Sequence, residues 1–215
     1  MRSGLRGAIL AAAASLALIS ATAATASPGT ALLDGIPQRG TVLGQKSATV
    51  TLIQYEDLGC THCKTYMQDA FPTIVRDYVR TGLVKVDFRG LGVVTRASAP
   101  ALRYTLAASR QQKLWQVAEL FYENQGKLNG LATDKGVTRL VKGIPGLNAT
   151  RLVTDAKSLA VRTQVNAHAA EAVRRSVPGT PWFFVKIGDA LPKLVKPDAY
   201  DGEAFSAILD DALGR

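Results

Sequence analysis

The amino-acid sequence predicts a mixed α/β fold that begins with a strand, a helix and a second strand. Residues 48–55 (ATVTLIQY) and 83–88 (LVKVDF) alternate apolar and polar side chains and are rich in β-branched residues, as strands are. Between them, residues 61–81 place apolar side chains at helical intervals. Residues 182–187 (WFFVKI) form a continuous apolar run, which is typical of a strand covered on both sides.

An apolar leader opens the chain. Residues 1–26 combine Arg2 and Arg6 with an acid-free run that ends in small residues at Ala26. This is the pattern of a secretory signal peptide, and we predict cleavage before Ser27. The alternative is a retained leader that tethers the protein to a membrane, although the run is mostly alanine and weakly hydrophobic. Either way, we predict export to the periplasm or another extracytoplasmic space.

Residues 27–215 are enough for one domain with a buried core. Without Arg2 and Arg6, the chain has 24 basic residues instead of 26, and subtracting 17 acidic residues leaves a net charge of +7. The basic residues are scattered and have no interleaved aromatic residues. This pattern indicates a solvated basic surface and argues against nucleic acid as a partner.

An extended lead-in followed by a strand, a helix and a second strand is predicted for residues 27–88. Residues 27–48, rich in glycine, proline, serine and threonine, predict an extended lead-in. In the following helix Pro72 predicts a kink, because proline has no backbone N–H to donate, and Gly82 stops the helix. Strand, helix and strand with short turns predict a right-handed parallel unit. Cys60 is then expected at the junction of strand and helix.

Residues 97–176 are predicted to be helical, in several pieces separated by Gly143, Pro145 and Gly146. Two apolar faces are expected, one from Leu114, Val117, Ala118 and Phe121 and one from Leu152, Ala156, Leu159 and Thr163. Trp115 and Tyr122 have the spacing of helix-core residues. A short strand at 193–196 and a last helix at 202–213 complete the prediction.

The segment DLGCTHCKTY, residues 57–66, contains both cysteines of the chain, Cys60 and Cys63. A structural disulfide between them would add little stability, because it closes a very short loop. A zinc site could use both cysteines and His62, but His168 is the one other histidine of the sequence. In an exported protein, a reversible redox pair explains the spacing better than a metal site.

The cysteine spacing predicts different roles for the two thiols. A helix N-terminus supplies free backbone N–H groups that favour a thiolate, so Cys60 is the expected nucleophile. Cys63, one turn later, can attack a mixed disulfide on Cys60. We expect Thr61 and His62 to tune this chemistry, with the imidazole stabilising the thiolate and making the disulfide more oxidising. The alternative for His62 is an exposed helix-start residue without redox effect.

These residues resemble the DsbA-like thiol-disulfide oxidoreductases of the thioredoxin superfamily. The resemblance extends over the mature chain and is carried by four segments: VTLIQYEDLGCTHC, AFPTIVRDYVRTGLVKVDFRGLGV, LWQVAELFYENQ and VPGTPWFFV. It implies a thioredoxin-like fold with an α-helical insertion at about residues 97–176. It also implies that Pro181 is a cis-proline facing the cysteine pair and that Thr180 and Pro181 bind substrate, whereas without the resemblance PGTP would be only a turn.

One position departs from the family. Six residues before the first cysteine, the family usually has a buried acid that helps to deprotonate the inner thiol, and here that position is Gln54. An amide cannot accept the proton. Water, Glu56, Asp57 or the substrate would take it, or the resolving step is slower. Alternatively, Gln54 is only a buried polar residue with satisfied hydrogen bonds.

The resemblance implies an oxidase that forms disulfides in reduced, unfolded exported proteins and needs no metal or organic cofactor. A membrane quinone-linked protein is the implied partner for reoxidation. A reductase or isomerase is the first alternative, but isomerases of the bacterial periplasmic type carry a dimerisation domain for which residues 27–48 are too few. A redox-inactive chaperone module that binds peptides at Thr180 and Pro181 is the second.

Overall fold

The computed structural model describes residues 31–215, so the predicted signal peptide lies outside the described residues. Within them, the strands form one six-stranded sheet in the order β1-β2-β4-β3-β5-β6. The strands are β1 Gln38–Arg39, β2 Val42–Leu43, β3 Val50–Glu56, β4 Val84–Gly90, β5 Trp182–Ile187 and β6 Lys193–Val195. The α/β class is confirmed.

Helices cover the sheet and fill the long interval between β4 and β5. They are α1 Thr61–Asp69, α2 Phe71–Ile74, α3 Ser98–Ser109, α4 Leu114–Glu123, α5 Leu128–Leu131, α6 Asp134–Leu140, α7 Ala149–Ala156, α8 Leu159–Arg174 and α9 Gly202–Leu213. Two short 3₁₀ turns, Gln125–Lys127 and Val141–Gly143, lie among them. Among the residues from 31 onward, no helix is long and apolar enough to cross a membrane.

The centre of the sheet is the predicted strand pair. β3 and β4 are parallel, from Val50 beside Val84 to Glu56 beside Gly90. On its other side β3 pairs antiparallel with β5, where Tyr55 lies beside Trp182. Because β5 begins next to the end of β3, the residues just before Trp182 are brought to the turn that carries the cysteines.

The lead-in contains a hairpin that the sequence did not predict. β1 and β2 pair with each other, and β2 continues the sheet by pairing antiparallel with β4. In the turn between them, the Thr41 hydroxyl donates a 2.6 Å hydrogen bond to Asp87 on β4. Each hairpin strand has two residues, which is too short for a period-two pattern to be visible.

The helix after the cysteines is broken rather than kinked. α1 ends at Asp69, and α2 starts anew at Phe71 with Pro72 in its first turn. Proline is favoured in a first turn, where its missing N–H costs nothing. A π-helical turn follows, in which the Arg80 N–H donates to the Val75 carbonyl at 2.9 Å. This break gives the second segment its own start.

One of the two predicted apolar faces is correct. Leu114, Val117, Ala118 and Phe121 are all buried, as are Trp115 and Tyr122. The second face is wrong, because Leu159 is 70% exposed although Leu152 and Ala156 are buried. Ser158 begins a new helix, its hydroxyl accepting the Val161 N–H. Helical periodicity cannot continue from α7 into a separate helix.

Candidate active site

Cys60 lies at the N-cap of α1, immediately after the turn that follows β3. Its sulfur accepts the backbone N–H of Cys63 at 3.5 Å, which satisfies one of the free donors of the first helical turn. The Cys60 thiol also donates to the Thr180 carbonyl at 3.2 Å. Both cysteines are buried free thiols, so the structure describes the reduced pair.

The environment of Cys60 favours the thiolate. The pKa of Cys60 is lowered to about 5, first by a hydrogen bond from the Cys63 thiol. Hydrogen bonds from the Cys63 and His62 backbone amides add to this effect, and together they outweigh the opposing effect of burial. At neutral pH the reduced pair therefore carries a thiolate on Cys60.

Cys63 is shifted in the opposite direction. Its side chain has no exposed surface, and burial raises the pKa of this thiol far above its usual range. The hydrogen bond to the Cys60 sulfur and the Glu56 carboxylate raise it further, whereas a hydrogen bond from the Asp57 backbone lowers it. Cys63 is therefore a thiol that holds its proton.

The loop before β5 faces the pair. The Thr180–Pro181 peptide bond is cis, as the resemblance implied, and Pro181 is buried. Trp182 is half-buried, with the Lys196 ammonium 5.7 Å from its ring centre. Because the Thr180 carbonyl contacts Cys60, the loop and the reactive sulfur share one surface.

Behind the pair lies a closed hydrogen-bond network built on β3. Gln54 donates to Glu56 at 2.6 Å and accepts from the Tyr66 hydroxyl at 2.7 Å. The Tyr122 hydroxyl donates to the other oxygen of Glu56 at 2.7 Å. Gln54 and Glu56 have no exposed surface, and burial raises the pKa of Glu56 to about 8. The Gln54 amide thus has partners for both its oxygen and its nitrogen.

Asp57, the next acid, holds the active-site turn together. One of its carboxylate oxygens accepts the Gly59 N–H at 2.8 Å. The other accepts the N–H groups of Val93 and Val94, at 2.7 and 3.0 Å. This carboxylate ties the cysteine turn to the loop that follows β4.

The two residues between the cysteines are both exposed. The hydrogen bond that His62 gives to the Cys60 sulfur comes from its backbone N–H. The His62 ring lies against Tyr200, with the ring centres 6.0 Å apart. Thr61 accepts a hydrogen bond from the Thr65 hydroxyl at its carbonyl. Redox tuning by these two side chains stays a prediction.

Some residues of the site had no sequence signal. The Gln125 amide group donates to the carbonyls of Leu58 and Cys60, both at 2.9 Å. Tyr200 lies close enough to the cysteines that they contribute to its raised pKa, although burial is the larger cause. Gln125 begins a short 3₁₀ turn and Tyr200 lies in a loop, both distant in sequence from the cysteines, and no local pattern distinguishes them from other polar residues.

Comparisons with known proteins place this geometry in a family. A family model described as thioredoxin matches residues 38–211. The chain belongs to the thioredoxin family. Among solved structures, oxidised BdbD from Bacillus subtilis superposes with a TM-score of 0.70 at 21% identity, covering 82% of this chain and 94% of that one. Wolbachia pipientis alpha-DsbA1 gives 0.68 at 19% identity, with 81% and 90% covered. The thioredoxin-like fold with a helical insertion is confirmed.

The curated relatives are named as disulfide bond formation proteins. Disulfide bond formation protein D of Bacillus subtilis is 32% identical over 75 residues, 35% of this chain. That match spans about a third, 31%, of the relative's length. A probable disulfide bond formation protein D of Bacillus cereus is 23% identical over 147 residues, covering 66% of this chain and 68% of the relative.

A metal site is the alternative to a redox pair for the two cysteines. In residues 31–215 no three histidine, cysteine, aspartate or glutamate side chains are grouped so that they could hold a metal ion. His168 is buried in α8, where burial lowers its pKa to about 4 and a hydrogen bond links it to the Gly90 backbone. This histidine is part of the packing between α8 and β4.

Proposed function

We propose that the protein is an extracytoplasmic thiol-disulfide oxidoreductase that forms disulfides in exported proteins through Cys60 and Cys63. The observation that carries the proposal is the placement of two thiols one helical turn apart, with Cys60 at the helix N-cap beside the Thr180 carbonyl and Cys63 fully buried. The pKa shifts of the two thiols in opposite directions agree with this placement. A thiolate on Cys60 and a protonated Cys63 are the arrangement that disulfide exchange requires.

The reaction starts from the oxidised pair. A substrate thiolate attacks the Cys60 sulfur, the bond between Cys60 and Cys63 breaks, and Cys63 leaves with the electron pair and takes up a proton. A second substrate thiolate then attacks the substrate sulfur of the mixed disulfide and expels Cys60 as a thiolate. The substrate loses two electrons and the cysteine pair gains them.

The low pKa of Cys60 favours this direction over reduction. A stable thiolate is a good leaving group, and it stabilises the reduced pair relative to the disulfide, which makes the disulfide a stronger oxidant. Hydrogen bonds from the Cys63 thiol and from the Cys63 and His62 backbone amides supply this stabilisation. The reduced pair must then be reoxidised, and we propose a membrane protein for that role.

Thr180 and Pro181 are proposed to position the substrate. Proline at 181 has no backbone N–H, and the Thr180 carbonyl already faces the Cys60 sulfur. An extended peptide that pairs with the Thr180 backbone would present its own cysteine to Cys60, as in β-strand addition. The half-buried ring of Trp182 on this surface is available to peptide side chains.

The oxidised protein, incubated with a reduced unfolded model protein, should form disulfides in it. Cys60→Ser should abolish the activity, because the attacked sulfur is lost. Cys63→Ser should keep the Cys60 thiolate. Mixed instead with a model protein that contains disulfides, this variant should attack one of them and accumulate a mixed disulfide, which non-reducing electrophoresis detects because Cys63 is absent and cannot release it. Circular dichroism confirms that both variants fold. If Cys60→Ser promotes refolding of the model protein as well as the wild type does, the proposal is overturned in favour of a redox-inactive peptide-binding role.

The reduction potential decides the direction of electron flow. We expect a value nearer that of DsbA, about −120 mV, than that of thioredoxin, about −270 mV, because of the low pKa of Cys60. Equilibration with glutathione followed by alkylation and mass spectrometry measures it. A value near thioredoxin's would replace the oxidase with a reductase.

A further inference from the structure

We propose that Glu56 gives a proton to the Cys63 sulfur and takes it back. Gln54, two residues earlier on β3, cannot fill this role because it has no ionisable group. The inference rests on the proposed function, because it concerns the same dithiol. Glu56 is one of several groups that the sequence alone leaves open as the proton donor and acceptor for Cys63.

The position of Glu56 supports this role. Glu56 is the last residue of β3, and the backbone of the next residue, Asp57, hydrogen bonds to the Cys63 sulfur. Side chains two apart on a strand point to the same face, so Glu56 follows Gln54 toward the interior. Glu56 also raises the pKa of Cys63, which places its charge within electrostatic reach of that sulfur.

The other candidates are engaged elsewhere. Both carboxylate oxygens of Asp57 accept backbone N–H groups of the active-site turn and the loop after β4. The hydroxyls of Tyr66 and Tyr122 donate hydrogen bonds to Gln54 and Glu56, respectively. Burial raises the pKa of each tyrosine well above its usual value. Within the described residues, Glu56 is the acid near Cys63 whose carboxyl group accepts hydrogen bonds from side chains and not from the backbone.

The chemistry needs such a group, because Cys63 is a poor leaving group when it must depart as a thiolate into a buried site. In the oxidising direction, the substrate thiolate bonds to Cys60 and the disulfide breaks. The neutral Glu56 carboxyl gives its proton to the departing Cys63 sulfur and becomes a carboxylate. Atoms and electrons balance, because one thiolate is consumed and one carboxylate is formed.

Reoxidation runs the same transfer backwards. Cys63 must lose its proton to attack a mixed disulfide between Cys60 and the oxidising partner, and the Glu56 carboxylate accepts it. With a pKa of about 8 in the reduced protein, Glu56 can hold or release a proton near neutral pH. An acid with an ordinary pKa would be ionised and unable to donate.

Gln54 and Tyr122 are positioning residues in this scheme. Each hydrogen bonds to a different oxygen of Glu56, at 2.6 and 2.7 Å, which fixes the orientation of the carboxyl group. The groups that face Glu56 are Gln54 and Asp57 on its own segment, and Cys60, Cys63, Tyr66 and Tyr122 from the helices packed against it.

The test measures release of Cys63 directly. The full-length oxidised protein is mixed with N-acetylcysteine, quenched rapidly in acid, and the mixed disulfide on Cys60 is quantified by mass spectrometry. Glu56→Gln should slow its formation by about 100-fold, the lower end of typical proton-transfer contributions. The matched control is Glu119→Gln, which removes another buried acid with a raised pKa, about 9, outside the network.

The pH profile separates proton transfer from a structural role. Normalised to reagent thiolate, the wild-type rate constant should fall as pH rises through the Glu56 pKa, whereas that of Glu56→Gln should be low and flat. Tyr122→Phe removes a hydrogen bond that lowers this pKa, so it should move the fall to higher pH. The double variant Gln54→Glu with Glu56→Gln should recover part of the rate, because it restores an acid on the same face.

The outcomes are distinct. An unchanged rate and pH profile in Glu56→Gln, with an active wild type, would overturn the inference alone. An inactive wild type would overturn the proposed function and the inference with it. A slow Glu56→Gln whose pH profile still falls as in the wild type would assign the proton to another group and also overturn the inference. The pKa of Cys60, measured from the ultraviolet absorbance of its thiolate, should remain below 7 in every variant.

Discussion

At the scale of single residues, the site separates two chemically identical thiols by their surroundings. Cys60 has backbone and thiol hydrogen bonds that stabilise negative charge, whereas Cys63 is enclosed by apolar groups and an acid. The three-residue spacing places one sulfur at the helix start and the other a turn inside. The helix N-terminus therefore decides which sulfur a substrate meets first.

The ionisation of Glu56 should also be visible in stability. The folded protein keeps a proton on Glu56 up to about pH 8, whereas the unfolded chain releases it near pH 4.5. Between these values the contribution of Glu56 to the free energy of unfolding falls by about 1.4 kcal/mol for each unit by which the pH rises. Glu56→Gln removes this loss. Its stability relative to the wild type should therefore increase on the order of 3 kcal/mol from pH 4 to pH 7.

Urea denaturation of the reduced proteins at pH 4, 5, 6 and 7 measures this difference. Exposed Glu203 supplies the control, since Glu203→Gln should follow the pH dependence of the wild type. A constant difference between Glu56→Gln and the wild type across this range would contradict the prediction.

The sequence shows the reacting residues more clearly than their support. The spacing of Cys60 and Cys63 and the resemblance around Pro181 predict the reactive groups. The bond between Tyr122 and Glu56 joins residues 66 positions apart, and no local pattern tells which glutamate becomes buried. The sequence shows Gln54 as a departure from the family pattern, but its partners depend on how α1 and α4 pack against β3.

At the scale of elements, the break between α1 and α2 places an aromatic ring against the helical insertion. Phe71, the first residue of α2, is fully buried and stacks on Trp115 of α4, with ring centres 5.2 Å apart and planes 7° from parallel. Trp115 also meets Phe88 of β4 edge-on, at 6.0 Å. These rings join three elements that carry or support the site.

Phe71→Ala should lower the free energy of unfolding by about 3–5 kcal/mol, because it leaves a cavity beside Trp115 and loses the stacked pair. Chemical denaturation of the reduced protein measures the loss. Val173→Ala is the matched truncation at the surface, where the side chain is 79% exposed, and it should change stability by less than about 0.5 kcal/mol. A Phe71→Ala protein as stable as the wild type would mean that the insertion packs without this ring.

Elements with a long, clear period were predictable. The run WFFVKI is β5, residue for residue, and the last helix begins and ends as predicted. Phe183 packs against Tyr66 on one face of the sheet, and Phe184 against Tyr55 on the other, as expected of a covered strand. The two-residue strands and the break at Ser158 escaped prediction, because short elements and helix starts leave little periodic signal.

At the scale of the whole molecule, the insertion and the sheet form one structure. The larger of two apolar cores contains residues from the strands, from α1 and α2 and from the inserted helices. On the other face, Arg89 of β4 bridges Asp87 and Glu171 of α8, at 2.6 and 2.9 Å. This other face also carries a smaller apolar cluster of Ile53, Tyr55, Ala172 and Phe184. Because the larger core contains residues of both the sheet and the insertion, we expect cooperative unfolding.

Two tryptophans allow a test of this unity. Trp115 reports on the insertion and Trp182 on the sheet, so Trp182→Phe and Trp115→Phe give proteins with one reporter each. Within each variant, the urea midpoints from tryptophan fluorescence and from far-ultraviolet circular dichroism should coincide. Separated midpoints in either variant would show that the insertion and the sheet unfold independently.

The two hydrogen bonds from Gln125 have a consequence for how the insertion can vary in length. They hold the end of α4 to the carbonyls of Leu58 and Cys60, so the chain up to Gln125 has a fixed register against the cysteine turn. Added or deleted residues before this point would shift that register. Beyond it, the exposed turn around Gly143 and Gly146 can lengthen or shorten without moving the sulfurs.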